Sequence, residues 1–357
     1  MSSEANYMMR CLELAQRAKG NTAPNPMVGA VLVHQVRIIG EGWHHYYGAD
    51  HAEVNCIKNV AEADRHLIPD SVMYVNLEPC AHYGLTPPCA NRIVEEGIKE
   101  VHIANVDPFP KVSGRGIDIL DAAGVTVLTG EEKNAGLWVN RRFFCTHTLQ
   151  RPYVILKWAQ TKDRFMAPVD RSRFQITGSE SQVLVHCWRT EEGAILVGTT
   201  TAMNDNPQLT ARLYEGKQPL RIAIDKDLKL PRTHHLFDDS AATWIINAHD
   251  ESQIGNVHFI QCDFNQPVVP QLLQRLHTAR ILSLIVEGGE ALLQSFIAPG
   301  LWDEARVFTG DVTLQSGVPS PLLPVGIPEL SALYGKDLLQ LYVNPKSAYP
   351  FVYGLDV

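Results

Sequence analysis

Val72-Met73-Tyr74-Val75-Asn76-Leu77-Glu78-Pro79-Cys80 is the stretch on which the reading of the first half of this chain turns. Val72 to Leu77 is rich in branched and aromatic residues and reads as a buried strand that runs straight into Glu-Pro-Cys. Further on, Cys89 opens a helical stretch to Glu96, closed by Gly97. Upstream, His51 opens another helix towards Val60, with Glu53 two residues inside it. Working outward, Tyr7 to Lys19 puts Met8, Cys11, Leu12, Ala15 and Ala18 on one side of a helix, which Pro24-Asn25-Pro26 breaks. Val28 to Val33 and Val36 to Gly42 read as a strand pair, and Val101 to Val106 and Val125 to Thr129 complete the strands. Strands alternating with helices over this length predict an α/β layered sheet.

Around residues 140–152 the pattern changes, and Arg141-Arg142 with Gln150-Arg151-Pro152 reads as a linker. Beyond it, Tyr153 to Trp158, Gly193 to Val197, Leu220 to Ile224, Thr243 to Ile246 and Ile281 to Val286 read as buried strands. Val183 to Thr190, Pro270 to His277 and Ala291 to Ile297 read as the intervening helices. Two α/β domains are expected, residues 1–147 and 151–357, as the length of 357 residues also suggests.

Composition narrows the function classes. With 45% hydrophobic and 20% charged residues the chain can bury two cores without staples. A formal net charge of −8 argues against a nucleic-acid partner, which would need a basic face. No segment approaches the ~18–20 apolar residues that span a bilayer, so no membrane partner is expected. Met1 to Arg10 lacks an apolar signal core, and Cys11, Cys56, Cys145, Cys187 and Cys262 look like scattered reduced thiols. Together these point to the cytoplasm.

His51-Ala52-Glu53, Pro79-Cys80 and Cys89 form the constellation that carries chemistry. One imidazole and two thiolates suit zinc, and three protein ligands leave its fourth position for water. The metal lowers the pKa of that water from ~15.7 towards ~7. Glu53, no ligand itself, is placed to take a proton from water and give it to a departing amine. His-x-Glu, then Pro-Cys and a second Cys, is the pattern of zinc deaminases. Here eight residues, Ala81 to Pro88, separate the cysteines instead of two. His44, close upstream, is a further site candidate. A nucleic-acid-editing deaminase and a zinc-stabilised binding module are the competing classes; the charge disfavours the first, and the second gives Glu53 no task.

At these residues the chain resembles the bifunctional riboflavin-biosynthesis deaminase–reductases. The matching stretches are Pro24-Asn25-Pro26-Met27-Val28-Gly29-Ala30, His51-Ala52-Glu53-Val54, and Leu77-Glu78-Pro79-Cys80-Ala81-His82 through Thr86-Pro87-Pro88-Cys89. Asp107-Pro108, Gly114-Arg115-Gly116 and Ala123-Gly124-Val125 extend the match. In the second half Pro152 to Lys157, Ile176-Thr177-Gly178, Ala194 to Gly198, Asp205 to Arg212 and Glu287-Gly288-Gly289 fit the reductase domain, the likeness thinning after about residue 310.

The resemblance implies a cytidine-deaminase-like three-layer α/β/α domain followed by a dihydrofolate-reductase-like α/β domain. It implies deamination of 2,5-diamino-6-(5-phosphoribosylamino)pyrimidin-4-one, then NADPH reduction of the ribosyl group to ribityl. His51, Cys80 and Cys89 would hold zinc and Glu53 would be catalytic. Asn25, His44, His82, Arg189, Leu209, Arg212 and Glu287 would contact substrate. Lys157, Gln160, Gln175, Thr201, Asp205, Gly288 and Gly289 would contact NADPH. A homo-oligomer, dimer or tetramer, is implied as well.

Physical readings stand beside these implications. No Gly-x-Gly-x-x-Gly follows a strand, but Val286-Glu287-Gly288-Gly289 leads into a helix whose bare amides could bind phosphate. Arg189 and Arg212 offer guanidinium forks for a substrate phosphate. The chain also departs from the family pattern. Thr161-Lys162-Asp163-Arg164 replaces Ser-Leu-Asp-Gly, Gln175 replaces a tryptophan, and Phe109 replaces an asparagine. Arg164 and Gln175 motivate an alternative: a deaminase whose C-terminal domain has lost reduction and serves for substrate capture or assembly.

Overall fold

The computed structural model describes residues 3–81, 87–109 and 112–355. The chain divides into two compact units, residues 1–149 with 349–357, and residues 150–348. The first unit runs α1 (Ser3–Gln16), β1 (Gly29–His34), β2 (Arg37–Trp43), α2 (Ala52–Lys58), β3 (Val72–Leu77), α3 (Cys89–Glu95) and β4 (Glu100–Asn105). It continues through α4 (Arg115–Ala122), β5 (Thr126–Thr129), α5 (Lys133–Val139) and α6 (Arg141–Leu149). Its five strands lie in the order β2-β1-β3-β4-β5. The hairpin β1–β2 and the pair β1–β3 are antiparallel, while β3, β4 and β5 are parallel.

Alternation along the strands makes the layers, because successive side chains leave opposite faces. Leu32, Met73, Val75, Val101 and Ile103 pack with Ile57 of α2, Ile93 of α3 and Leu120 of α4 on one face. Val31, Val33, Tyr74 and Ala104 pack with Met8, Cys11 and Leu14 of α1 on the other. A Cβ on Gly42 would stand 2.2 Å from the Cys56 backbone nitrogen, so glycine there lets β2 lie directly on α2. The layered α/β architecture expected from the alternation is the observed one.

The second unit runs β6 (Tyr153–Gln160), β7 (Phe165–Ala167), α7 (Ser179–Glu191), β8 (Ala194–Val197), α8 (Thr199–Asp205), β9 (Leu220–Ile224) and β10 (Thr243–Asn247). Then come β11 (Ser252–Ile254), β12 (Val257–Gln261), α9 (Val268–Thr278), β13 (Ser283–Glu287), α10 (Glu290–Ile297) and β14 (Glu304–Thr309). β15 (Val318–Pro319), β16 (Leu330–Tyr334) and β17 (Asp337–Val343) end it. The ten-stranded sheet has the order β11-β12-β10-β9-β8-β13-β6-β14-β17-β16. Its middle, from β12 to β14, is parallel throughout. Leu196, Leu284 and Val286 face one core with Leu272 and Phe296, whereas Ile195, Val197 and Ile285 face the other with Trp188. Burial on both faces is why these strands read as unbroken apolar runs.

Several segments depart from the sequence reading, strands β12, β14, β16 and β17 among them. The Arg141-Arg142 stretch, expected as linker, is helix α6 with Phe143, Phe144 and Cys145 buried. Arg141 is buried because its guanidinium lies 3.9 Å from the Trp138 ring centroid and donates to the Trp138 carbonyl at 2.8 Å. Strand β14 was not expected, since Glu304 and Arg306 mask its alternation; both are buried as an ion pair 2.6 Å apart. Residues 349–355, expected with the second domain, pack in the first unit, with Tyr349 Oη 2.9 Å from Thr148 Oγ1 and Phe351 against Trp138.

The turn between β6 and β7 does require a left-handed residue: Arg164 stands at φ 67° where the family pattern has glycine. Asp163 fixes the turn by accepting from Thr161 Oγ1 at 2.6 Å and the Gln315 amide at 2.7 Å. Left-handed backbone costs an L-residue roughly 1–2 kcal/mol, partly offset by glycine's greater entropy loss on folding. Arg164→Gly is therefore expected to raise urea-unfolding stability by up to about 1 kcal/mol, and the β-branched Arg164→Val to lower it by about 1–2 kcal/mol.

Candidate active sites

In the first unit the site gathers where chain segments leave the sheet for helices. His51 is the extended residue that precedes α2, Cys80 follows the end of β3, and Cys89 is the first residue of α3. His51 Nδ1 stands 3.4 Å from Cys80 Sγ and 3.3 Å from Cys89 Sγ, and the three ligand atoms all lie within 4.8 Å of one another. A tetrahedral zinc with Zn–S ~2.3 Å and Zn–N ~2.0–2.1 Å separates nitrogen from sulfur by roughly 3.5 Å, so this set fits the ion. The Cys89 thiol, and then His51, hold Cys80 well below the ordinary thiol range, while Cys89 is pushed up. Thiolate is the form a metal takes.

Glu53, in the first turn of α2, is 3% exposed and outside the ligand triangle. Burial raises its carboxyl to about 7, against the lowering effect of His51. A carboxyl of that kind can both accept and release a proton near neutrality. Asn25 and His44 meet next to the ligand His51: Asn25 Nδ2 is 3.2 Å from His44 Nε2, His44 Nδ1 is 3.0 Å from the Asp50 carbonyl, and the His44 ring lies edge-on to His51. His82 lies outside the described residues. Phe109 sits against His147, its ring centroid 5.2 Å away.

Several supporting residues went unread in the sequence. The Glu78 carboxylate accepts from the amides of Asp107, Gly114 and Gly116 at 3.2, 3.0 and 2.9 Å. A Cβ on Gly116 would come within 2.0 Å of the Pro79 carbonyl oxygen, so α4 begins hard against the Pro-Cys segment. Asn76, fully buried in β3, accepts from Gly29 N at 2.8 Å and donates to Met27 O at 3.1 Å. Asn140 clamps Met27 from the other side, at 2.8 Å through both its amide and its carbonyl. The lone asparagine inside an apolar strand was the available signal, because a buried amide must find partners.

In the second unit a cleft of about 910 Å³ opens at the carboxyl ends of the parallel strands. Lys157, Gln175, Arg189, Thr201, Asp205, Leu209, Glu287, Gly288 and Gly289 all line it, which brings most of the expected reductase residues together. Gln160, Arg212 and Arg164 are not among its lining residues. Gln160 donates to Thr309 Oγ1 at 3.2 Å and accepts from Trp158 Nε1 at 3.1 Å. Arg212 donates to Thr210 Oγ1 at 3.0 Å.

Glu287 is the charge centre of this cleft. It stands 3.7 Å from Lys157 Nζ and 3.1 Å from Arg189. Burial pushes its carboxyl up, but Lys157 and Arg189 outweigh that and hold it below the usual range. Burial also pushes Lys157 down. Glu287 Oε1, the oxygen that faces Lys157 Nζ, is buried and has no hydrogen-bond partner among the described residues at closer range. β13 ends at Glu287, Gly288 follows, and Gly289 precedes the first residue of α10, so the N-terminus of that helix lines the cleft, a setting that suits a phosphate. Gln175, which donates to Thr177 O at 2.7 Å, lines the cleft where the family pattern has a tryptophan.

Comparison with known proteins agrees with this geometry. Residues 1–105 match the cytidine and deoxycytidylate deaminase zinc-binding region, and residues 152–321 match the RibD C-terminal domain. The chain is 37% identical over 323 residues to the riboflavin biosynthesis protein RibD of Aquifex aeolicus, spanning 88% of this chain and 89% of that one. The structure of Acinetobacter baumannii RibD superposes with a TM-score of 0.85 at 30% identity, over 96% of this chain and 98% of that one. A Thermotoga maritima diaminohydroxyphosphoribosylaminopyrimidine deaminase/5-amino-6-(5-phosphoribosylamino)uracil reductase superposes with a TM-score of 0.86 at 32% identity, over 96% and 99%. With both halves matched in sequence and the whole chain in fold, this protein belongs to the RibD family of riboflavin biosynthesis proteins.

Proposed function

We propose that this bifunctional deaminase–reductase of riboflavin biosynthesis works through the two centres described above. The first unit would remove an amine from 2,5-diamino-6-(5-phosphoribosylamino)pyrimidin-4-one, and the second would then reduce the ribosyl group to ribityl with NADPH. The observation that carries the reading is the triangle of His51, Cys80 and Cys89 with a buried, unligated Glu53 beside it. Zinc held by that triangle supplies acidification of water. Glu53 takes the proton from the attacking water and delivers it to the departing nitrogen, so that water and amine become carbonyl and ammonia. Asn25 orients the pyrimidine, and the closed surroundings of Glu53 keep the proton from bulk solvent.

In the second unit the α10 amides behind Gly288 and Gly289 would hold a cofactor phosphate, with Thr201 and Asp205 on the same wall. Arg189 and Arg212 would take the substrate phosphate. NADPH supplies a hydride, and Lys157, buried beside Glu287, is the group able to supply the balancing proton. Arg164, outside the cleft lining, gives no ground for loss of reduction, and no observation favours the deaminase-only alternative. The substrate is a small molecule; a homo-oligomer, dimer or tetramer, and a cytoplasmic location are part of the proposal. No helix among the described residues is long and apolar enough to cross a membrane.

Mass spectrometry of turnover is the direct test. Without NADPH the product should carry oxygen in place of one amine; with NADPH it should gain two hydrogens. Deamination alone at saturating NADPH would sink the second half of the proposal. Glu53→Gln is expected to lower the deamination kcat about 10²–10⁴-fold while zinc stays at one per chain by metal analysis. Removing zinc with a chelator should abolish deamination and leave reduction of the deaminated substrate intact.

A further inference from the structure

Helix α7 places His186 and Arg189 three residues apart, on the same helical face. Both reach the segment 209–213, which has neither helix nor strand structure of its own. Arg189 donates to the Thr210 carbonyl at 3.1 Å, and Gln218 brackets Ala211 through its amide at 2.7 Å and its carbonyl at 3.0 Å. His186 Nδ1 accepts the backbone N–H of Arg212 at 2.7 Å and of Leu213 at 3.3 Å. Leu209, at the start of the segment, is left-handed at φ 56°, a conformation that persists only where surrounding contacts impose it.

Arg212 pairs with no carboxylate among the described residues, although it lies close enough to Arg189 to feel that charge. Two neighbouring guanidiniums, one without a counter-ion, repel each other and will separate unless the backbone beneath them is fixed. We propose that His186 is the positioning residue of the reductase phosphate grip: by accepting both amides at Nδ1 it holds Arg212 beside Arg189. This rests on the reading that these two arginines take the substrate phosphate. The task needs an acceptor that carries no charge. An imidazole with its proton on Nε2 is one, whereas a protonated ring would present a donor at Nδ1 and a third cation. Burial, then the Arg189 and Arg212 charges, push His186 down to about 4, so the ring is neutral at working pH.

The test uses the full-length zinc-loaded chain, with steady-state reduction of 5-amino-6-(5-phosphoribosylamino)uracil by NADPH and calorimetric binding of ribose 5-phosphate. His186→Leu is expected to raise KM and the ribose 5-phosphate Kd about tenfold, with kcat within about threefold and deamination unchanged. His186→Asn, whose Oδ1 falls near the lost Nδ1, should restore most of both; His186→Gln, whose oxygen lies further out, should not. Unchanged KM and Kd in His186→Leu would overturn the proposal, as would an Asn variant no better than Leu. Arg212→Ala separates the two levels: if it leaves both constants unchanged, the phosphate reading itself fails. If it raises them and His186→Leu does not, only the positioning role fails. Should the Leu variant not fold, nitrogen-15 NMR of the wild type still decides. An Nδ1 acceptor that does not titrate between pH 5 and 8 is required, and a protonated Nδ1 in that range overturns the assignment.

Discussion

A carboxylate cannot be buried in this fold unless something neutral or cationic is built around it, and the Glu78 side chain is where that constraint shapes the first unit. It stands between the end of β3 and Cys80, and three backbone amides from residues 107–116 converge on it. Burying a charge without such partners costs several kcal/mol, so Asp107, Gly114 and Gly116 must bring their amides to this side chain. That fixes the start of α4 against Pro79, and with it the path of the chain into Cys80. Geometry at the ligand triangle is thus set by residues that never approach the metal position, as outer contacts set ligand orientation in metal sites generally.

Glu287 meets the same constraint with a different answer. Its partners are side-chain cations, Lys157 and Arg189, and one oxygen is left without a hydrogen bond. Glu78 is held by backbone amides and belongs to the scaffold, whereas Glu287 is held by side-chain cations at the cleft wall, where its Oε1 faces Lys157 without a close hydrogen bond. The same contrast separates the asparagines: Asn76 and Asn140 use both ends of their amides on backbone, while Asn25 spends its nitrogen on His44.

The reductase cleft adds a second constraint, the mutual repulsion of cations. Lys157 and Arg189 share the one Glu287 carboxylate, Arg212 feels the Arg189 charge, and the neutral ring of His186 keeps the count of cations from rising further. A cleft with more fixed positive than negative charge, walled by glycine amides, suits a phosphorylated substrate and a phosphorylated cofactor together. The protein's net charge of −8 says nothing of this, since the charge is local.

From the sequence alone came the alternation of strands and helices, the His51, Cys80 and Cys89 triangle, the Glu53 position and the strand-to-glycine turn at Glu287. These were legible because each depends on local chemistry: side-chain type, short spacing, and burial on one or both faces of a strand. Helix α6, strand β14 and the placement of residues 349–355 were not legible. In each, charged or aromatic residues are buried by partners distant in sequence or on a neighbouring element, and no local pattern encodes such partners. Tertiary structure likewise decided that Arg164 takes a left-handed turn without reaching the cleft, and that Gln160 serves the sheet and not the cleft wall. It alone showed that His186, silent in the sequence, faces the backbone of Arg212 and Leu213. Which groups can form a site is written in residue type; which of them meet depends on how buried charges find their partners when the sheets close.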